Sequence, residues 1–147
     1  MKEFHGIRDL KREARFGNSR FDLFYYRDER GGFIEVKGVT LEQDGLAMFP
    51  DAPTTRGTKH VETLIQAVQE GYEATVLFVI QMKAVIIYVT SRHGPHFHEA
   101  LQEAEHLGVR ILAYDSHVTA STIQLDRLLP LYNPFTDFFS CAFYWND

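Results

Sequence analysis

Four side chains can do chemistry together in this sequence: Glu13, Asp22, Glu35 and Lys37, the last three on two short runs, RFDLFYY and GFIEVKGV, separated by a turn. Glu35 and Lys37 are two residues apart, so on an extended strand they share one face while Ile34 and Val36 take the other. Asp22 follows Phe21 and precedes an aromatic run, which puts an acid on a sheet edge or an active surface. Acids so placed can hold a divalent cation, and a lysine beside them can face a nucleophile or a transition-state phosphate.

The elements that must position this set read as β-β-β-α-β-β-α-β. Residues 1–12 are a charged lead-in, Glu13 to Phe16 a short strand, Asn18-Ser19 a turn, and Arg20 to Tyr26 a second strand. A turn over Asp28 to Gly32 leads into a strand from Phe33 to Leu41, and the two prolines between Phe49 and Arg56 mark an irregular excursion. Val61, Leu64, Ile65 and Val68 fall at i, i+3, i+4 and i+7, predicting a helix from near Thr58 that stops at Gly71 and packs on a sheet. ATVLFVI, ending at Ile80, is apolar without alternation, as a central strand covered on both faces must be. Val85 to Val89 is expected beside it, then a helix from about Pro95 to Leu107, and a last strand from Val109 to Ala113. Ile123, Leu125, Leu128 and Leu129 are placed to close the core. The aromatic stretch from Asn133 to Asp147 shows no period and suits docking on the domain or on a protein partner.

The 147 residues make one domain, with a 45% hydrophobic content ordinary for a soluble globular protein. A formal charge of -5 gives no whole-surface attraction to a polyanion, so any nucleic-acid contact needs a local basic patch and a bound metal. Cys141 is the only cysteine, which excludes an intrachain disulfide framework and a thiolate zinc cluster. No run is long enough for a membrane span and the N-terminus is polar, so a cytoplasmic protein is expected.

Other positions have two readings each. Gln81 directly follows the central strand, where ligand-facing residues are common in α/β sheets; it contacts substrate or a metal-bound water, or simply caps the strand. Arg56, Lys59 and His60 surround the helix start, where they hold a phosphate or form a solvated helix end. Arg20 touches a nucleic-acid backbone or pairs with Asp22 or Glu13. His93, His96 and His98 do not make a zinc site, because i and i+2 diverge on a helix and neither cysteine nor HExxH stands near.

The ordered runs REARFGNSRFD, FIEVKGVTL, MFPDAPTTRGTKHVETL, EGYEATVLFVIQ and HEALQEAEHLGVRILAY resemble the C-terminal domain of the sugar fermentation stimulation protein family, over about residues 11–130. The resemblance implies an α/β restriction-endonuclease-like core of the PD-(D/E)xK class, a mixed central sheet flanked by helices, at residues 13–130, with 131–147 as an aromatic tail. Asp22 then matches the PD aspartate, Glu35 and Lys37 the (D/E)xK pair, and Glu13 an additional acid. The family is described as DNA-binding and as regulating maltose metabolism, and nuclease chemistry follows from its fold. Some features depart from the family: its N-terminal OB-like domain and the helix that opens its core are expected to be absent, leaving one sheet face uncovered. Met82 and Ala84 replace an arginine and an acid, and Gly94-Pro95 an acid-proline pair.

Phosphodiester hydrolysis needs an activated water, a cation that withdraws charge from a non-bridging oxygen, and help for the leaving alkoxide. Asp22, Glu35 and the Val36 carbonyl are the expected ligands of Mg²⁺, or of Mn²⁺ in its place, with Lys37 orienting the water or stabilising phosphorane charge and Glu13 in a second-metal or outer role. The expected activity is a Mg²⁺-dependent deoxyribonuclease. The alternatives are a non-catalytic DNA-binding regulator of sugar metabolism and a partner-dependent structural fragment.

Overall fold

The computed structural model describes residues 2–50, 54–89 and 96–132. After a 3₁₀ turn at Lys2–Phe4 come β1 (Ile7–Phe16), β2 (Ser19–Arg27), β3 (Arg30–Val39), β4 (Leu41–Gln43), β5 (Leu46–Phe49), α1 (Thr55–Gln69), β6 (Glu73–Ile80), β7 (Ile86–Val89), α2 (His96–His106), β8 (Arg110–Val118), β9 (Ile123–Leu128) and β10 (Leu131–Tyr132). The main sheet has the order β1-β2-β3-β6-β8-β9, parallel across β3, β6 and β8 and antiparallel towards both edges. This is the mixed sheet expected; along the chain the expected succession of elements recurs with a β4–β5 hairpin inserted and β9 and β10 added.

The continuous apolar run of β6 earns its central place: Val76, Phe78 and Ile80 on one face and Thr75 and Leu77 on the other are all buried. The register Glu35↔Val76 and Lys37↔Phe78 puts both functional side chains on the face shared with Val76 and Phe78. On α1 the stripe Val61, Leu64, Ile65 is buried as its spacing requires, and α1 and α2 pack side by side. Phe49 bridges the two layers, its ring 5.2 Å from Phe78 and 5.3 Å from Phe97. The opposite face carries Tyr25, paired with Gly32, and there Phe4 packs edge-on to the Tyr25 ring at 6.1 Å. The 3₁₀ turn is tied down because the Glu3 carbonyl accepts hydrogen bonds from Arg27 (2.6 Å) and Arg110 (2.8 Å), while its carboxylate accepts from Tyr114 (2.6 Å). The face expected to be bare thus receives the first residues of the chain.

Four expectations about elements change. The stretch read as a lead-in enters the sheet, since β1 starts at Ile7 rather than Glu13; its exposed edge, rich in Lys and Arg, has no apolar alternation to announce a strand. The first turn is Gly17-Asn18, one residue earlier than expected, with Phe16 paired to Ser19. Between the strand expected to end at Leu41 and the excursion expected from Phe49 lies a hairpin whose turn is Asp44-Gly45, at φ 53° and 83°. β7 does not lie beside β6: it pairs with β5 and β10 in a second, four-stranded sheet of order β10-β7-β5-β4. The aromatic tail from residue 133, and His93, lie outside the described residues.

Candidate active site

The hairpin of β2 and β3 delivers Asp22 to Glu35 and Lys37. Regular pairing ends at Leu23↔Ile34, and beyond it the Asp22 carboxylate takes the place of a strand carbonyl, accepting the Val36 N–H at 2.7 Å. Asp22 is thereby fixed at the residue lying between Glu35 and Lys37. On the adjacent face Lys37 donates to Oε2 of Glu35 at 3.3 Å, as the two-residue spacing foretold. Lys37 is mostly covered and Glu35 is 3% exposed, so this pair is not a solvated surface ion pair of little worth.

Glu35 ionises with difficulty. Its pKa is pushed up to about 7, first by burial and then by a hydrogen bond with the Asp22 carboxyl, which outweigh the opposing pull of Lys37. Two carboxyls in contact cannot both carry charge cheaply, and a bound cation would relieve the conflict. The donor set suits a hard cation: two carboxylates and no thiolate, with room in the shell for water. Among the described residues no group of three or more His, Cys, Asp or Glu side chains converges to chelate a metal, so such an ion would complete its shell with waters and backbone oxygens, as Mg²⁺ commonly does.

Glu13 stands on β1 between Arg12 and Ala14, whose partners are Leu23 and Phe21, so its level in the sheet is that of Asp22. It is solvent-exposed and holds φ at 55°, a left-handed conformation that a glutamate inside a strand adopts at a cost of about 1–3 kcal/mol. Gln81 follows β6 as expected, but its N–H bonds the Val39 carbonyl and its side-chain amide packs against Gly38, next to the Lys37 position in sequence. Among the described residues Gln81 has no hydrogen bond to the acids. Val36 reaches the site through its N–H, already given to Asp22.

His60 stays beside Arg56 and Lys59 but is buried rather than part of a solvated helix end. It is on the buried stripe of α1, edge-on to the Phe21 ring at 6.0 Å, and its Nδ1 meets Oε2 of Glu35. Burial, then the charges of Lys37 and Arg56, hold its pKa below the ordinary histidine range. Its inward aim was readable in sequence, since His60 precedes Val61 and stands four before Leu64 on the same helical face. Arg20, Arg56 and Lys59 do come together: with Arg15, Gly17, Asn18, Ser19, Thr55 and His60 they line one groove of about 760 Å³ between the β1–β2 turn and the first turns of α1. Arg15 lies within the expected strand Glu13 to Phe16 with no motif to mark it, and it faces Arg20 directly across the ladder.

The family model described as "Sugar fermentation stimulation protein RE domain" matches residues 1–122. The chain is 48% identical over 134 residues to the sugar fermentation stimulation protein homolog of Alkaliphilus oremlandii, covering 87% of this chain and 57% of that protein. To the homolog of Desulfitobacterium hafniense it is 50% identical over 123 residues, covering 82% and 54%. The chain spans about half the length of these curated relatives. The solved structure of Pyrococcus furiosus SfsA in complex with Ca²⁺ matches with a TM-score of 0.81 at 30% identity, over 90% of this chain and 58% of that one. Sequence and fold agree: this chain belongs to the sugar fermentation stimulation protein family and carries its restriction-endonuclease-like core.

Proposed function

We propose that this chain hydrolyses phosphodiester bonds in DNA with the help of Mg²⁺, using Asp22, Glu35 and Lys37. The observation that carries the reading is the hydrogen bond from Val36 N–H to Asp22, which fixes one acid at the strand bearing the other acid and the lysine. Asp22 and Glu35 would hold the cation, and Glu13, at the level of Asp22 on the neighbouring strand, would take an outer role through water. Held there, Mg²⁺ supplies charge withdrawal from a non-bridging phosphate oxygen. Lys37 has its ammonium at Glu35 and donates to the attacking water or to the oxygens that gain charge. His60 keeps Glu35 in place from the helix side, and Arg20, Arg56 and Lys59 give the strand backbone a cationic wall despite the acidic net charge. That a relative is named in complex with Ca²⁺ supports a divalent cation here; Ca²⁺ is also hard and oxygen-seeking.

The test is cleavage of single-stranded, duplex and branched DNA by verified folded protein with Mg²⁺, Mn²⁺ or EDTA. Cleavage with Mg²⁺ or Mn²⁺, absent in EDTA and in Asp22→Ala, is the expected result; intact DNA under all conditions refutes it. The basic groove also supports a second reading, a DNA-binding regulator without hydrolysis. Salt-dependent binding without cleavage would select that reading.

A further inference from the structure

The groove beside His60 is built for more charge than one phosphodiester carries. Four cationic side chains line it, Arg15, Arg20, Arg56 and Lys59, and no acid does. Arg15 and Arg20 are direct cross-strand partners, an arrangement that costs stability because like charges stand opposite each other. Several cations elsewhere have carboxylate partners, Arg8 with Asp9, Arg27 and Arg110 with Glu73, Lys83 with Asp126 and Arg127 with Asp115, and those without one among the described residues, Lys2, Lys11, Arg12 and Arg30, do not line this groove. Among the described residues the four groove cations have no carboxylate partner.

The groove is also bounded. The Gly17-Asn18 turn walls one end, the first turns of α1 form a side, and a buried hydrogen bond from Ser19 Oγ to Thr63 Oγ1 (2.9 Å) ties the hairpin to the helix behind it. His60 belongs to this lining and touches Glu35, so the groove abuts the acids. We infer that the groove is a subsite for a terminal phosphomonoester of a nucleic-acid strand, placing the end of the strand, rather than an internal stretch, beside Asp22 and Glu35. A monoester carries roughly two negative charges at pH 7 and three acceptor oxygens, against one charge for a diester. That dianion suits converging guanidinium groups, which bind phosphate oxygens in a bidentate manner. The inference rests on the phosphodiester reading of the site and adds end-directed action to it.

Binding in EDTA separates the two, since no cleavage is required. Fluorescence anisotropy competition would compare single-stranded oligonucleotides identical except for a 5′-phosphate, a 3′-phosphate or hydroxyl ends, with inorganic phosphate as a further competitor. One phosphorylated end is expected to bind at least tenfold tighter than the hydroxyl form. Arg15→Gln with Arg20→Gln should erase that preference, costing the phosphorylated strand at least tenfold more affinity than the hydroxyl-ended strand. Because both residues are exposed and their removal relieves like-charge opposition, the variant should fold; Arg56→Gln, on the helix side, is an independent check. Equal affinity for all ends, no binding of any strand, or a preference that survives both variants overturns the inference. So does inorganic phosphate competing as well as the phosphorylated strand, which would assign the groove to free phosphate. Loss of the end preference with cleavage intact would leave the hydrolytic reading standing.

Discussion

Nδ1 of His60 meets Oε2 of Glu35, so one buried histidine borders both the paired acids and the cationic groove. Removing it leaves a space against Phe21 and frees one oxygen of Glu35. His60→Ala is expected to lower stability by about 1–3 kcal/mol, the range for a buried polar side chain lost from a packed contact. It should also weaken Mn²⁺ binding severalfold, with His60→Gln closer to wild type in both. Chemical denaturation and Mn²⁺ titration by electron paramagnetic resonance read the two effects; unchanged Mn²⁺ affinity in His60→Ala would remove the positioning role.

Lys37 and Asp22 should separate chemistry from metal binding. Lys37→Ala is expected to cut the cleavage rate by roughly 10²–10³, the usual cost of one charge-stabilising donor, while leaving Mg²⁺ affinity largely intact. Asp22→Ala should lose both. Equal loss of metal affinity in the two variants, with folds confirmed by circular dichroism, contradicts these roles.

The raised pKa of Glu35 has a defined effect on the metal-free protein. Between its ordinary value near 4.5 and about 7 the folded state keeps a proton that the unfolded chain has released, so stability falls as pH rises through that window. His60, held below its ordinary value, acts with the opposite sign, since the unfolded chain takes up its proton first as pH falls. Comparison with Glu35→Gln isolates the acid. Relative to wild type, that variant should gain on the order of 2–3 kcal/mol between pH 4.5 and pH 8 in urea denaturation at each pH. A difference independent of pH would show that Glu35 ionises normally.

Two strands over from Glu35, Asp115 is fully buried within β8 and accepts from Arg127 N–H (2.8 Å), the Arg127 guanidinium (3.0 Å) and Ala84 N–H (3.4 Å). It ties β9 to the segment between β6 and β7. Asp115→Ala strands these donors and is expected to cost about 3–5 kcal/mol, seen as a large fall in the denaturation midpoint. A loss below about 1 kcal/mol would mean that solvent satisfies the freed groups.

The parts of the fold legible in sequence are those where periodicity and chemistry coincide. Val61, Leu64, Ile65 and Val68 announce α1, ATVLFVI announces the central strand, and the E-x-K spacing fixes the shared face of Glu35 and Lys37. The start of α1 was placed late because Thr54, whose hydroxyl accepts the Gly57 N–H at 3.0 Å, was read as part of the proline excursion rather than as the cap. Asp44-Gly45 is a strong hairpin signal that falls between the strand expected to end at Leu41 and the excursion expected from Phe49. The first half of β1, Ile7 to Arg12, is not legible because edge strands are coloured by charge rather than alternation. The sheet to which Ile86–Val89 belongs is a tertiary choice that no local pattern encodes. For the candidate site, the acids and lysine were readable, whereas the contact of His60 with Glu35 depends on how α1 crosses the sheet.

The most direct test of the central claim is anomalous diffraction from crystals soaked in Mn²⁺. The account predicts a peak coordinated by Asp22 and Glu35, with the Lys37 ammonium directed into the same cleft. Density elsewhere, or the two carboxylates turned apart with no peak between them at saturating Mn²⁺, would contradict it.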